Sequence, residues 1–301
     1  MPRVSIVIST YNRSNVLALT IQTVLWQTVT DWELLVIGDA CTDDTAAVVA
    51  GFADPRIRFI NRPENCGEQS GPNNFGAQQA RGKFLAWLNH DDFWLPDHLA
   101  CALAELEATG ADLVFALCER ITRESPGVIF NASTSGDYDP TLYTPASCWV
   151  LRRELFEAMG PWRMAREMYL IPSQEWIYRA WRAGKRLRLC PHLTVVAISS
   201  ERVPASYARR VMDEHAALFE KLREPEKFRN AELTRQLTSP TAESLKLQPL
   251  GRLLRELVKR PYRRLWTALG VHPGSIHYAL KTWKKGGALD QLRKRRGLPV
   301  K

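Results

Sequence analysis

Residues 85–97 read LAWLNHDDFWLPD. An apolar run reaches Leu88, then Asn89, His90, Asp91 and Asp92 arrive together, followed by aromatics and a proline. Adjacent carboxylates repel each other, and the end of a buried strand is a costly place for them unless positive charge faces them. A hard divalent cation such as Mg2+ or Mn2+ would relieve the repulsion, because both ions take carboxylate oxygens together with substrate phosphates. The competing reading is a helix N-terminus, with Asp92 capping a helix that begins near Pro96.

Working outward, residues 4–10 (VSIVIST), 32–39 (WELLVIGD), 56–62 (RIRFINR), 83–89 and 111–121 have the apolar, β-branched character of buried strands. Between them, residues 14–27 read as a helix with Ser14 as its N-cap, 42–52 open like a capped helix, and 71–80 form a loop and helix. Residues 95–110 read as a helix with Pro96 in its first turn and Gly110 past its end. The pattern weakens over 122–170 into loops and short strands. It returns as a helix over 173–184, a strand over 186–198 and polar helix over 205–238. Strands alternating with helices at this spacing predict a Rossmann-like α/β fold, with a mostly parallel sheet and helices on both faces. Ligands bind such sheets beyond the carboxyl ends of the strands. Thr10-Tyr11-Asn12, Asp39 and Asn89-His90-Asp91-Asp92 all stand at such ends.

Several chemistries are excluded. There is no GxGxxG and no GxSxG, and GPNNFGAQ (71–78) has phosphate-loop spacing without the required Lys and Ser/Thr. The six cysteines contain no CxxC pair, which argues against a zinc ribbon or a disulfide framework. Apolar runs of about 7 residues are far short of the ~20 that span a bilayer. No signal-peptide pattern follows Met1, so the expected compartment is the cytoplasm.

Taken in order, these segments resemble glycosyltransferase family 2, the inverting, metal-dependent nucleotide-sugar transferases of GT-A fold. VSIVISTYNR looks like the family's opening strand and Tyr-Asn turn. LLVIGDACTDDT is similar to its hydrophobic run and acidic turn, and PENCGEQSGPNNFGAQQARGKFLAWLNHDD to its Asn-x-Gly and DxD series. SQEWIYRAWRAG stands where the family carries its catalytic base. The resemblance spans roughly residues 2–200, read as a GT-A domain with a nucleotide-sugar half over 1–110 and an acceptor half over 111–200. A helical extension over 201–250 and a basic amphipathic helical tail over 251–301 complete the expected organisation.

The resemblance implies a role for each matched residue. Thr10 and Tyr11 would line the base and ribose pocket, and Asp39 would accept a hydrogen bond from the nucleobase. Asn89 would hydrogen-bond ribose, Asp91 would ligate the Mg2+ or Mn2+ that bridges the donor diphosphate, and Asp92 would support it. Glu175 would deprotonate the acceptor hydroxyl. A UDP-sugar is the favoured donor, and a glycan or lipid-linked glycan the implied acceptor, as in surface polysaccharide synthesis. The match departs from the family at Gly38, Cys41, Asn89 and Gln174, and the Arg often found just before Asn74 is missing. Those departures leave a competing reading, a catalytically weakened sugar-nucleotide or glycan-binding module.

The net charge of +9 is unevenly held: residues 251–301 carry 14 Lys/Arg against 2 Asp/Glu. Apolar stripes in that tail, including Leu265, Trp266, Leu269, Ile276, Leu280 and Trp283, predict contact with an anionic membrane surface, peripheral at the inner face of the plasma membrane. Packing on the core is the alternative. With no reading module in the sequence, nucleic acid is not an expected partner.

Overall fold

The computed structural model describes residues 1–122, 125–133, 135–199, 204–207, 209–238, 261 and 265–300. The first half of the chain alternates β1 (Val4–Thr10), α1 (Ser14–Leu25), β2 (Trp32–Gly38), α2 (Thr45–Ala50), β3 (Ile57–Asn61), α3 (Ser70–Gln79) and β4 (Phe84–Trp87). These four strands pair in parallel in the order β3-β2-β1-β4. Every residue of β1, β2 and β4 is buried, as their unbroken apolar character requires of strands covered on both faces.

Then follow β5 (Asp92–Trp94), α4 (His98–Thr109), β6 (Leu113–Thr122), β7 (Ser125–Phe130), β8 (Trp149–Arg152), α5 (Arg153–Met159), α6 (Pro172–Arg182) and β9 (Leu187–Ser199). The sheet continues past β4 as β8-β6-β9-β5, with β7 on β6. Here β8 is antiparallel to both its neighbours, while β6 and β9 run parallel. The helices α7 (Asp213–Lys221), α8 (Pro225–Thr238), α9 (Pro273–Thr282) and α10 (Gly287–Arg296) complete the described chain.

Three local expectations change. Ser14 is not a cap: its hydroxyl accepts from Arg210 and donates to Asp44 at 2.5 Å, and Arg13 holds the N-cap position. Asp92 does not cap a helix either, because it enters β5 opposite Ala197, and α4 begins only at His98. Pro96 therefore precedes that helix, while Gly110, at φ +64°, closes it as expected. The short helix α5 lay unnoticed inside the stretch read as loops and short strands.

Two buried features fix the frame behind the site. Glu33 on β2 is 2% exposed, an unfavourable place for a carboxylate standing alone. It accepts hydrogen bonds from Ser5 Oγ (2.7 Å), the Arg81 backbone N (2.8 Å) and the Arg81 guanidinium (2.7 Å). Burial pushes the Glu33 carboxyl up, yet these donors hold it below its ordinary value. This clamp closes the end of the sheet opposite the acidic strand ends. Where β4 meets β8 and α6, Trp87 packs against Trp149, Trp162 and Trp176 with ring centroids 5.0–6.2 Å apart. Trp87, Trp94, Trp149 and Trp176 are all buried in the core. A second apolar cluster, Phe93, Leu95, Val196, Leu218, Phe219 and Phe228, seats α7 and α8 against β5 and β9.

Candidate active site

Past β4 the chain turns through Asn89 to Asp91 before entering β5, and the two acids receive opposite surroundings. Asp92 Oδ2 accepts from Ser147 Oγ at 2.5 Å and Asn89 Nδ2 at 2.8 Å, and its Oδ1 accepts from the Ile198 backbone N at 3.3 Å. Burial and then the Asp91 charge push Asp92 up to about 7, against those three donors. Asp91 accepts no side-chain hydrogen bond among the described residues, and its nearest positive-capable neighbour is His90 Nε2 at 4.0 Å. Burial would raise its carboxyl, but His90, Arg296, His215 and Arg13 together bring it below the ordinary carboxylate value. The pair thus separates into one ionised acid open to a cavity and one held by the protein.

His90 closes the back of this turn. Its Nδ1 lies 3.1 Å from the Ser9 carbonyl, which can only accept, so Nδ1 carries the proton. Burial lowers the basicity of the ring against the opposing Asp91 charge, and Nε2 lies 3.0 Å from the Tyr207 hydroxyl. Two guanidiniums, Arg13 and Arg296, each lie 5.0 Å from the Tyr207 ring centroid. Arg13 is fully buried and donates to the carbonyls of Ser206 and Val211.

The cavity in front of Asp91 has a volume of about 610 Å³. One wall carries Thr10, Tyr11 and Asp39 from the ends of β1 and β2. The Thr10 hydroxyl is buried with no hydrogen-bond partner among the described residues, which leaves it to a ligand. Asp39 is more committed: Oδ1 accepts from Cys66 N and Arg62, and Oδ2 from Gly67 N, at 2.8–3.2 Å. It shapes the 62–67 loop as well as lining the cavity. Asn89 also lines the cavity, but its amide is engaged by Asp92 and by Gln69. The family acid missing at Gly38 has no room, since a Cβ there would lie 2.4 Å from Asn61 Oδ1. Asn74 orders the opposite loop through paired hydrogen bonds to the Trp162 backbone at 2.8 Å.

The first turn of α6 contributes Pro172 and Ser173 to the cavity, but Glu175 stands just outside its wall. The Glu175 carboxylate is 3.3 Å from both Arg163 and Arg179. Gln174, in place of the family's other acid, instead pairs with both backbone groups of Thr144.

The remaining wall comes from the tail. Lys281, Arg293, Arg295 and Arg296 line the cavity. Arg293 is buried and donates to the carbonyls of Gly67 and Pro299, and Ala205 N donates to the Arg295 carbonyl at 3.0 Å. Over its described residues the tail packs on the domain, although Trp283 is 82% exposed and Leu265, Leu269 and Leu280 are exposed as well. The sequence also sets Leu253, Leu254, Leu257 and Val258 on one helical face, and that stripe lies outside the described residues. Sequence reading missed Arg13, Tyr207 and the tail's share of the cavity. The charge count had singled out the tail but not its destination.

Acidic strand ends around a cavity, on this mixed sheet, belong to a fold of GT-A type. Residues 5–160, just over half the chain, match the family described as Glycosyl transferase family 2, and the chain belongs to that family. It is 31% identical over 122 residues to the Escherichia coli UDP-Glc:alpha-D-GlcNAc-diphosphoundecaprenol beta-1,3-glucosyltransferase WfgD, covering 40% of this chain and 48% of that one. It is 34% identical over 113 residues to the succinoglycan biosynthesis protein ExoO of Rhizobium meliloti, covering 38% and 32%. The chain thus spans about half or less of the curated relatives it matches. Among solved structures, S. aureus TarS 1-349 in complex with UDP-GlcNAc aligns at TM-score 0.57 and 16% identity, over 99% of this chain and 91% of that one. The mannosyltransferase PcManGT of Pyrobaculum calidifontis, in complex with GDP-Man and Mn2+, aligns at 0.55 and 17%, over 97% and 87%.

Proposed function

We propose that this protein transfers a sugar from a nucleoside diphosphate donor, a UDP-sugar by preference, to a hydroxyl of a glycan or lipid-linked glycan, with inversion. The observation that carries this reading is the Asp91 carboxylate, which faces the cavity with no side-chain hydrogen-bond donor of its own among the described residues. No group of three His, Cys, Asp or Glu side chains is arranged to hold a metal among the described residues. One open carboxylate nevertheless suits Mg2+ or Mn2+, which complete their shells with substrate phosphates and water. Asp91 would hold the ion, and Asp92 with Asn89 and Ser147 would fix the turn that presents it. Bound there, such an ion acts as a Lewis acid toward the departing diphosphate. Thr10, Tyr11 and Asp39 serve the nucleoside, with Asp39 acting partly through the loop it organises.

Glu175 is the base in this reading. Arg163 and Arg179 hold it just outside the cavity wall, so the exposed Arg163 must move aside when acceptor binds. Hydrogen bonds of a catalytic base often tighten only in the complex with substrate. The same ion pairs favour the competing reading, a binding module without turnover. A screen of UDP-, GDP- and dTDP-sugars with Mn2+ separates the two. We expect a UDP-sugar to raise the melting temperature and to be consumed in the presence of acceptor glycan. Stabilisation without consumption would leave only the binding module, and no response to any donor would end both readings.

Peripheral membrane contact is part of the proposal. Exposed Leu280 and Trp283 lie beside Lys281, Lys284 and Lys285 on a surface suited to anionic headgroups. Trp283→Ala should release the protein from anionic vesicles without changing its melting temperature. Equal binding by the variant, or equal binding to neutral vesicles, would remove this element.

A further inference from the structure

The C-terminal helix α10 reaches the cavity with its last turns, which bring Arg293, Arg295 and Arg296 to the lining. A departing nucleoside diphosphate carries more negative charge than one divalent cation can cancel while Asp91 stands in its shell. The arginine that the family often places before Asn74 is absent, and Asn73 occupies that position, buried. Of the cationic side chains that line the cavity, Arg120 comes from β6, while Lys281, Arg293, Arg295 and Arg296 come from the tail. Arg296 lines the cavity and lies over the Tyr207 ring, 5.0 Å from its centroid, next to the His90 that turns the chain into Asp91.

We propose that Arg296 is a diphosphate-binding residue, so that α10 forms one wall of the donor site instead of a detachable appendage. The inference rests on the nucleotide-sugar reading above and assigns its anion subsite. Arg293 is the positioning residue: its bonds to the Gly67 and Pro299 carbonyls tie α10 to the loop that Asp39 organises. Gly286 and Gly297 flank the helix at φ +73° and +74°, so both ends turn sharply enough to seat it over the cavity. A guanidinium suits this place because its planar fork can meet two phosphate oxygens at once, which an ammonium cannot do.

The test compares UDP with uridine by calorimetric titration of the full chain in Mn2+. Wild type should bind UDP much more tightly than uridine. Arg296→Gln should lose about 10–100-fold toward UDP and nothing toward uridine, and Arg296→Lys should fall between. Unchanged UDP affinity in Arg296→Gln overturns the inference. So does tighter UDP binding, which would mark α10 as an obstruction, or an equal loss toward uridine, which would mark a purely structural role. A second measurement needs no variant. UDP and inorganic pyrophosphate, but not uridine, should slow tryptic cleavage after the exposed Lys294 and Arg295 of the wild-type protein. Equal cleavage with and without either anion would also overturn it. Protection by pyrophosphate in a protein that binds no nucleotide would keep the anion subsite and discard the donor reading.

Discussion

Replacing Asp91 by asparagine is expected to abolish the Mn2+-dependent part of UDP binding, a loss of about 10²-fold or more, with little change in melting temperature. Losing an outer partner of a metal ligand already costs roughly 10–100-fold in affinity, and loss of the ligand itself should cost at least as much. The fold should tolerate the change because no side-chain donor is left unpaired: among the described residues nothing donates to the Asp91 carboxylate. Arg13, its buried cationic neighbour, keeps its bonds to Ser206 and Val211. Chelation of the wild type should reproduce the variant's affinity. A variant that unfolds, yet binds UDP with undiminished Mn2+ dependence once refolded, would show that Asp91 serves the fold and not a cation.

Glu175→Gln should lower turnover by about 10²–10⁴-fold while leaving donor affinity near wild type, the usual loss for a missing general base. The split between turnover and affinity matters because Glu175 also pairs with Arg163 and Arg179. Arg179 has independent bonds to the Met159 and Pro161 carbonyls, so the amide should not loosen α6. Near-normal turnover would move the base elsewhere. Asp137 is paired with Arg188 and Asp139 accepts from Thr141 N, and neither lines the cavity. Glu68 does line it, and burial pushes its carboxyl up, so it would be the next residue to replace.

What could be read in the sequence followed from local chemistry. The strands β1, β2 and β4 announce themselves because both faces are covered and no polar residue interrupts the pattern for long. Their acidic ends were visible for the same reason: a carboxylate beside such a run needs an explanation. Local pattern could not separate Asp91 from Asp92. That difference is made by Ser147 and Ile198, which lie 55 and 106 residues away from Asp92 and arrive on the turn before β8 and on β9. The strand β5 was hidden by its length, since three residues leading toward a proline look like the approach to a helix. Glu175 was identified from motif order, which gives a position along the chain but not the two arginines around it. The tail's charge was obvious, yet arginine on an amphipathic helix suits a membrane and an anion pocket equally well until packing chooses.

The long-range contacts of Arg293, which lines the cavity, and of Arg13 behind it have a consequence for the order in which the molecule assembles. Arg293 meets Gly67 across 226 residues of chain, and Arg13 meets Ser206 across 193. The β1-β2 pairing joins residues far nearer in sequence, such as Val4 and Trp32. Loop-closure entropy favours the shorter connections, so the parallel sheet forms early and the long-range wall late. A nascent or partly unfolded chain can therefore own its acidic strand ends without owning a finished pocket. Any ligand that bridges Asp91 and the last helix acts on the final step of folding, and it holds back the first step of unfolding.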